Sequence, residues 1–78
     1  MARIRSFQPG TQNVRVHPSE VDCYFQTVDS GAGEKFLHLT TFGSDDRASS
    51  PKSSQSLQLD RSRAAQLIAV LTDAFPGL

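Results

Sequence analysis

Between residues 64 and 75 the apolar side chains Ala64, Leu67, Ile68, Leu71, Ala74 and Phe75 recur at steps of three and four, while Arg63, Gln66, Thr72 and Asp73 keep to the flanks. That period draws one apolar stripe along an α-helix. Asp60 precedes the run, where its carboxylate can accept the free amides of a first helical turn, and Pro76-Gly77 ends it. Period, cap and stop agree on a helix over residues 61–75. Such a stripe needs an apolar surface to cover it. Arg61 and Arg63 meanwhile occupy the positive end of the helix dipole, where acids are preferred. Charge placed against that preference points to a use.

Upstream the period changes to two. In residues 21–28 (VDCYFQTV), Val21, Cys23, Phe25 and Thr27 alternate with Asp22, Tyr24, Gln26 and Val28, and the run is rich in β-branched and aromatic residues, as in a strand. Asp29-Ser30-Gly31-Ala32-Gly33 then offers two glycines able to take positive φ, the signature of a hairpin loop. In the partner run, residues 35–42 (KFLHLTTF), Leu37, Leu39 and Thr41 share one face and Phe36, His38, Thr40 and Phe42 the other. Both faces carry apolar groups, one for the helix and one for a partner. Residues 54–59 (SQSLQL) alternate again, with Gln55, Leu57 and Leu59 together, as a third strand antiparallel to the second.

The expected fold is therefore α+β, a curved meander of three or four antiparallel strands followed by one C-terminal amphipathic helix packed on the sheet. Leu67, Ile68, Leu71 and Phe75 are expected to meet Leu37, Leu39, Leu57 and Leu59. This single β-β-β-α domain occupies residues 21–78. Residues 1–20 form a basic, weakly structured arm, with Arg3, Arg5 and Arg15 and no acid before Glu20. Within the arm Pro9-Gly10 marks a turn, and Val14-Arg15-Val16, halted by Pro18, reads as a short edge strand.

A chain of 78 residues is one domain at most and buries a smaller share of its surface than one of about 100–150 residues. Small domains of this kind draw support from disulfides, metals or partner subunits. Cys23 is the only cysteine, which rules out an intrachain disulfide, and His17 and His38 add too few ligands for structural zinc. Self-association, as a homodimer, is the support that remains. Eight Lys+Arg balance eight Asp+Glu, so no global field draws the chain to nucleic acid or to an anionic membrane, and any such binding must be local. No run approaches the 18 or so apolar residues of a membrane span, and no apolar run follows the N-terminal arginines as in a signal peptide. A cytoplasmic setting is expected, and a lone reduced thiol fits it.

Two constellations carry the functional expectation. The first is the polar loop 43–53 with its flanks, where Arg47, Lys52, Ser54 and Gln55 offer cationic, hydroxyl and amide donors to a phosphate or a backbone segment, against the repulsion of Asp45 and Asp46. The second is the outer sheet face, where Tyr24, Phe36, His38 and Phe42 stand with Gln26 and Arg15. Aromatics on a sheet stack bases of single-stranded nucleic acid, each worth about 1–3 kcal/mol. The same rings also suit a core or a dimer interface. Neither His17 nor His38 has a signalled nucleophile or pocket, and Cys23 reads as a small buried apolar residue. With no Gly-rich phosphate loop, nucleophile elbow or CxxC pair, no catalysis and no cofactor are expected.

The alternating strand, acidic cap and Ala/Leu-rich helix of Ser56–Leu71, set after a hairpin and a long loop, resemble the single-stranded-DNA-binding domains of the positive-cofactor-four family of transcription coactivators, especially small bacterial members. The resemblance spans roughly residues 20–75. It implies a strongly bent sheet, dimerisation through the C-terminal helices and nucleic acid lying across the sheets. The chain departs from that family in having only Lys35 and Lys52 as lysines and no tryptophan. Residues 39–60 also resemble a group of small bacterial and phage-associated proteins without an established activity. The expectation is a homodimeric module that binds single-stranded DNA or RNA through Arg3, Arg5, Arg15, Arg47, Lys52 and the outer aromatics. Its rival is a protein-interaction module, an accessory or inhibitory subunit using the outer face and the 43–55 loop.

Overall fold

A computed structural model describes residues 1–43 and 53–78, with the side chains of Ser53 and Ser54 left aside. Its elements in chain order are β1 (Ala2–Arg3), β2 (Cys23–Asp29), β3 (Lys35–Phe42), β4 (Ser53–Leu59) and α1 (Arg61–Ala74). The strands form one sheet in the order β1-β4-β3-β2. The β2–β3 hairpin is antiparallel through seven pairs, from Cys23 opposite Thr41 to Asp29 opposite Lys35. Its turn is closed locally. The Ser30 amide donates to the Glu34 carbonyl at 2.9 Å, the Gly31 amide to Asp29 Oδ1 at 2.9 Å, and Gly31 and Gly33 take φ of 84° and 89°, which side chains with a Cβ resist.

The antiparallel meander expected from the sequence needs one correction. β1 pairs with β4 in parallel, Ala2 beside Leu57 and Arg3 beside Gln58, and the Ile4 amide continues the ladder to the Gln58 carbonyl at 2.9 Å. The sheet is thus mixed. Its added edge strand is Ala2–Arg3, whereas Val14-Arg15-Val16 lies in an irregular, exposed stretch. A two-residue strand carries no period, so alternation cannot reveal it.

Helix α1 starts where its cap residue places it. Asp60 is extended, and its Oδ1 accepts the Arg63 amide at 2.8 Å while its carbonyl accepts the Ala64 amide at 2.9 Å. At the other end Phe75 leaves helical geometry, with its amide still bonded to the Leu71 carbonyl at 2.8 Å. The expected packing of this helix on the sheet holds only for its beginning. α1 touches the sheet at β4, and beyond its second turn the stripe is open, with Ile68 64 % and Phe75 62 % exposed and Leu71 exposed as well. What covers the first two turns is the segment after β1. Arg63 Nη1 donates to the Arg5 carbonyl at 2.7 Å and Gln66 Nε2 to the Phe7 carbonyl at 3.2 Å. Among the described residues only Leu59, 2 % exposed, and Phe36, 8 % exposed, are buried apolar side chains, and both sit at the end of the sheet where α1 begins.

The molecule is accordingly open. It exposes 7110 Å² where a compact monomer of 8.5 kDa shows about 4,700 Å². Its radius of gyration is 14.9 Å, against about 11.5 Å for a compact chain of this length. The exposed stretch 8–20 and the outer side of α1 account for part of that excess. No helix among the described residues is long and apolar enough to cross a membrane.

Candidate functional site

Directly opposed residues of a sheet share a face, so the registers assign every strand side chain. One face carries Phe25, Leu37, Leu39, Leu57 and Leu59, with Cys23, Thr27, Thr41, Gln55 and Ala2. This is the leucine face. The other carries Tyr24, Gln26 and Val28 from β2, Phe36, His38, Thr40 and Phe42 from β3, Ser56 and Gln58 from β4, and Arg3 from β1. All four aromatic-face residues singled out from the sequence, Tyr24, Phe36, His38 and Phe42, therefore lie together.

Their environments differ. Tyr24 and Phe42 meet edge to face, with ring centroids 5.1 Å apart and planes at 79°, and Tyr24 stays 59 % exposed. This pair is a ledge on which a planar ligand can rest. Phe36 is different, because it is buried and the Arg3 guanidinium carbon lies 5.6 Å from its ring centroid. Of the four residues expected as an exposed stacking surface, Phe36 is thus the buried one, with an exposed arginine over its ring. Between these two aromatic positions runs a polar row in which Gln26 opposes His38 and His38 opposes Gln58, with Gln58 Nε2 and His38 Nδ1 3.1 Å apart. The face thus gathers an edge-to-face ring pair, a row of amide and imidazole groups, and an arginine.

Beside the start of α1, Arg3, Ile4, Arg5, Glu34, Phe36, Asp60, Ser62 and Arg63 line an open cleft of about 580 Å³. Three arginines here outnumber two carboxylates, one of which is engaged as the helix cap. Arg3 and Arg5, expected from the sequence as phosphate contacts, thus come next to Arg63, whose place in the first helical turn had marked it as unusual. The Arg63 side chain is anchored by its bond to the Arg5 carbonyl.

Other expected site residues are not gathered in. Arg15 is exposed on the irregular stretch rather than on the sheet. Gln55 points to the leucine face, away from the aromatics, while its carbonyl accepts the Thr40 hydroxyl at 3.3 Å. Arg47, Lys52 and the side chain of Ser54 lie outside the described residues, as does most of the 43–53 loop. Cys23, expected to be buried, is a free and exposed thiol at the end of β2. Gln58 was missed by sequence reasoning, and its signal is visible only with the register, which sets it opposite His38. No family model, curated protein or solved structure matches the chain.

Proposed function

We propose that this protein is a non-catalytic module that binds single-stranded DNA or RNA across its aromatic face and acts as a homodimer. The observation that carries the reading is the convergence of the Tyr24–Phe42 ledge, the Gln26–His38–Gln58 row and the Arg3 guanidinium on one side of the sheet. Stacking on Tyr24 supplies affinity that tolerates any base, amides and imidazole read base edges, and Arg3 with Arg5 tracks phosphates. The homodimer follows from the open stripe of α1. A helix that leaves Ile68, Val70, Leu71 and Phe75 in water is stabilised by a second copy that covers them, and interfaces of permanent homodimers resemble a core cut in half.

The test is a fluorescence-anisotropy titration of labelled single-stranded oligonucleotides at low and at physiological salt. Micromolar or tighter binding that weakens steeply with salt supports the reading, because neutralised phosphates release counterions. No binding at low salt overturns it. Zero net charge gives the rival, a protein-interaction module on the same face, its one specific support. In that case oligonucleotides do not bind, and a protein partner's affinity barely responds to salt.

A further inference from the structure

The two edges of this sheet are unlike. One is β1, two residues long, and short edge strands are a common protection against unwanted pairing. The other is β2, seven residues long, and its sequence CYFQTVD holds no proline, lysine or arginine. Its pairing with β3 runs through seven pairs without a shift, so no bulge twists it out of the way. Of these defences the described β2 carries only the charge of Asp29, at its last residue.

The hydrogen bonds fix which backbone groups it offers. The Phe42 amide donates to the Asp22 carbonyl at 3.4 Å and the Ser30 amide to the Glu34 carbonyl at 2.9 Å. In an antiparallel ladder such bonded pairs alternate with non-bonded ones, so the even-numbered residues of this hairpin strand bond to β3. The amides and carbonyls of Cys23, Phe25, Thr27 and Asp29 consequently point outward, and among the described residues no strand lies against them.

We propose that this edge pairs with the same edge of a second copy, antiparallel about a two-fold axis at Gln26. In that register Cys23 faces the partner's Asp29, and Phe25 faces the partner's Thr27. All four outward-facing residues then form hydrogen-bonded pairs on both sides of the axis. Moving the axis by one residue, to Phe25 or Thr27, sets one of the four opposite a residue that lies outside β2. A register that sets odd residues opposite even ones mismatches every donor. The preferred register also separates the two Asp29 carboxylates by six residues, about 20 Å along the strands. The edge is self-complementary, which makes a second copy its fitting occupant.

The contact lies across β3 from β4 and α1, so it leaves the helix stripe free for its own pairing. A chain able to make both contacts joins dimers edge to edge. The aromatic faces then merge, because the row Gln58–His38–Gln26 continues through the axis into the partner's row. That consequence rests on the proposed function. The edge pairing itself does not.

The register supplies its own test, made without nucleic acid so that the outcome is independent of that function. Gln26 opposite itself is a non-hydrogen-bonded pair with Cα atoms about 4.5 Å apart, inside the range a disulfide bridges. In a Cys23→Ser background, Gln26→Cys under mild oxidation is expected to give disulfide-linked dimer on the order of tenfold above Tyr24→Cys, whose thiols sit about 13 Å apart across the axis. Both positions are exposed, so neither change threatens the fold. Adding Thr27→Pro removes an outward amide while sparing the β3 ladder, and it is expected to abolish the cross-link with the circular-dichroism spectrum unchanged. Equal cross-linking at positions 24 and 26, none at 26, or a cross-link that survives Thr27→Pro overturns the proposal.

Discussion

Tyr24 has the most to do at the scale of single residues. It is the exposed half of the edge-to-face pair with Phe42, and a base that stacks on it gains about 1–3 kcal/mol. Tyr24→Ala is therefore expected to weaken oligonucleotide binding by roughly 5- to 150-fold with little change in salt dependence, as read by anisotropy. Arg3 should behave in the opposite way. If its guanidinium, which lies over Phe36, neutralises one phosphate as proposed, Arg3→Ala is expected to lower the slope of log K against log salt by about one. Alternation along β3 was enough to group Phe36, His38 and Phe42, whereas setting Tyr24 beside them takes the register of β2 on β3. Phe36 shows where that stops. Alternation put it on the right face, but nothing in the sequence said that the N-terminal strand would bring an arginine over its ring.

The helix is the element whose own signals were strongest, and its boundaries followed them closely, with Asp60 as cap and Phe75 at the other end. Asp60→Ala leaves the Arg63 amide without its acceptor and is expected to destabilise the fold by about 1 kcal/mol, measured by urea unfolding. Its packing was not legible. The stripe Ala64, Leu67, Ile68, Leu71 and Phe75 says only that something apolar covers it, and the period is the same whether the cover is this sheet or another chain. In the structure the Arg5 and Phe7 carbonyls, just after β1, bond to the flanks of the first two turns, and the later part of the stripe is exposed. Ile68→Asp puts a charge in the centre of that open stripe. If the stripe is a contact between copies, this variant is expected to keep the fold and to lose that contact, a fall in mass that sedimentation velocity detects when the Thr27→Pro change removes the edge pairing as well.

At the scale of the whole molecule the surface is the dominant fact. The exposed part of the α1 stripe and the open β2 edge are the surfaces the described residues leave for a partner, a standard interface burying about 800 Å² on each side. Its two sheet faces divide the work, leucines on one and aromatics with amides and Arg3 on the other. The mixed topology was hidden from the sequence because the parallel pairing of Ala2–Arg3 with β4 spans the length of the chain and rests on two residues. The central claim, that nucleic acid lies on the aromatic face, is tested most directly by the side-chain amide signals of the glutamines in a ¹⁵N–¹H spectrum titrated with a short oligothymidine. Gln26 and Gln58 stand on the aromatic face and Gln55 on the leucine face of the same sheet. The account predicts that the first two shift on binding and that Gln55 does not. Shifts at Gln55 with Gln26 and Gln58 unmoved, or no shifts at all, would contradict it.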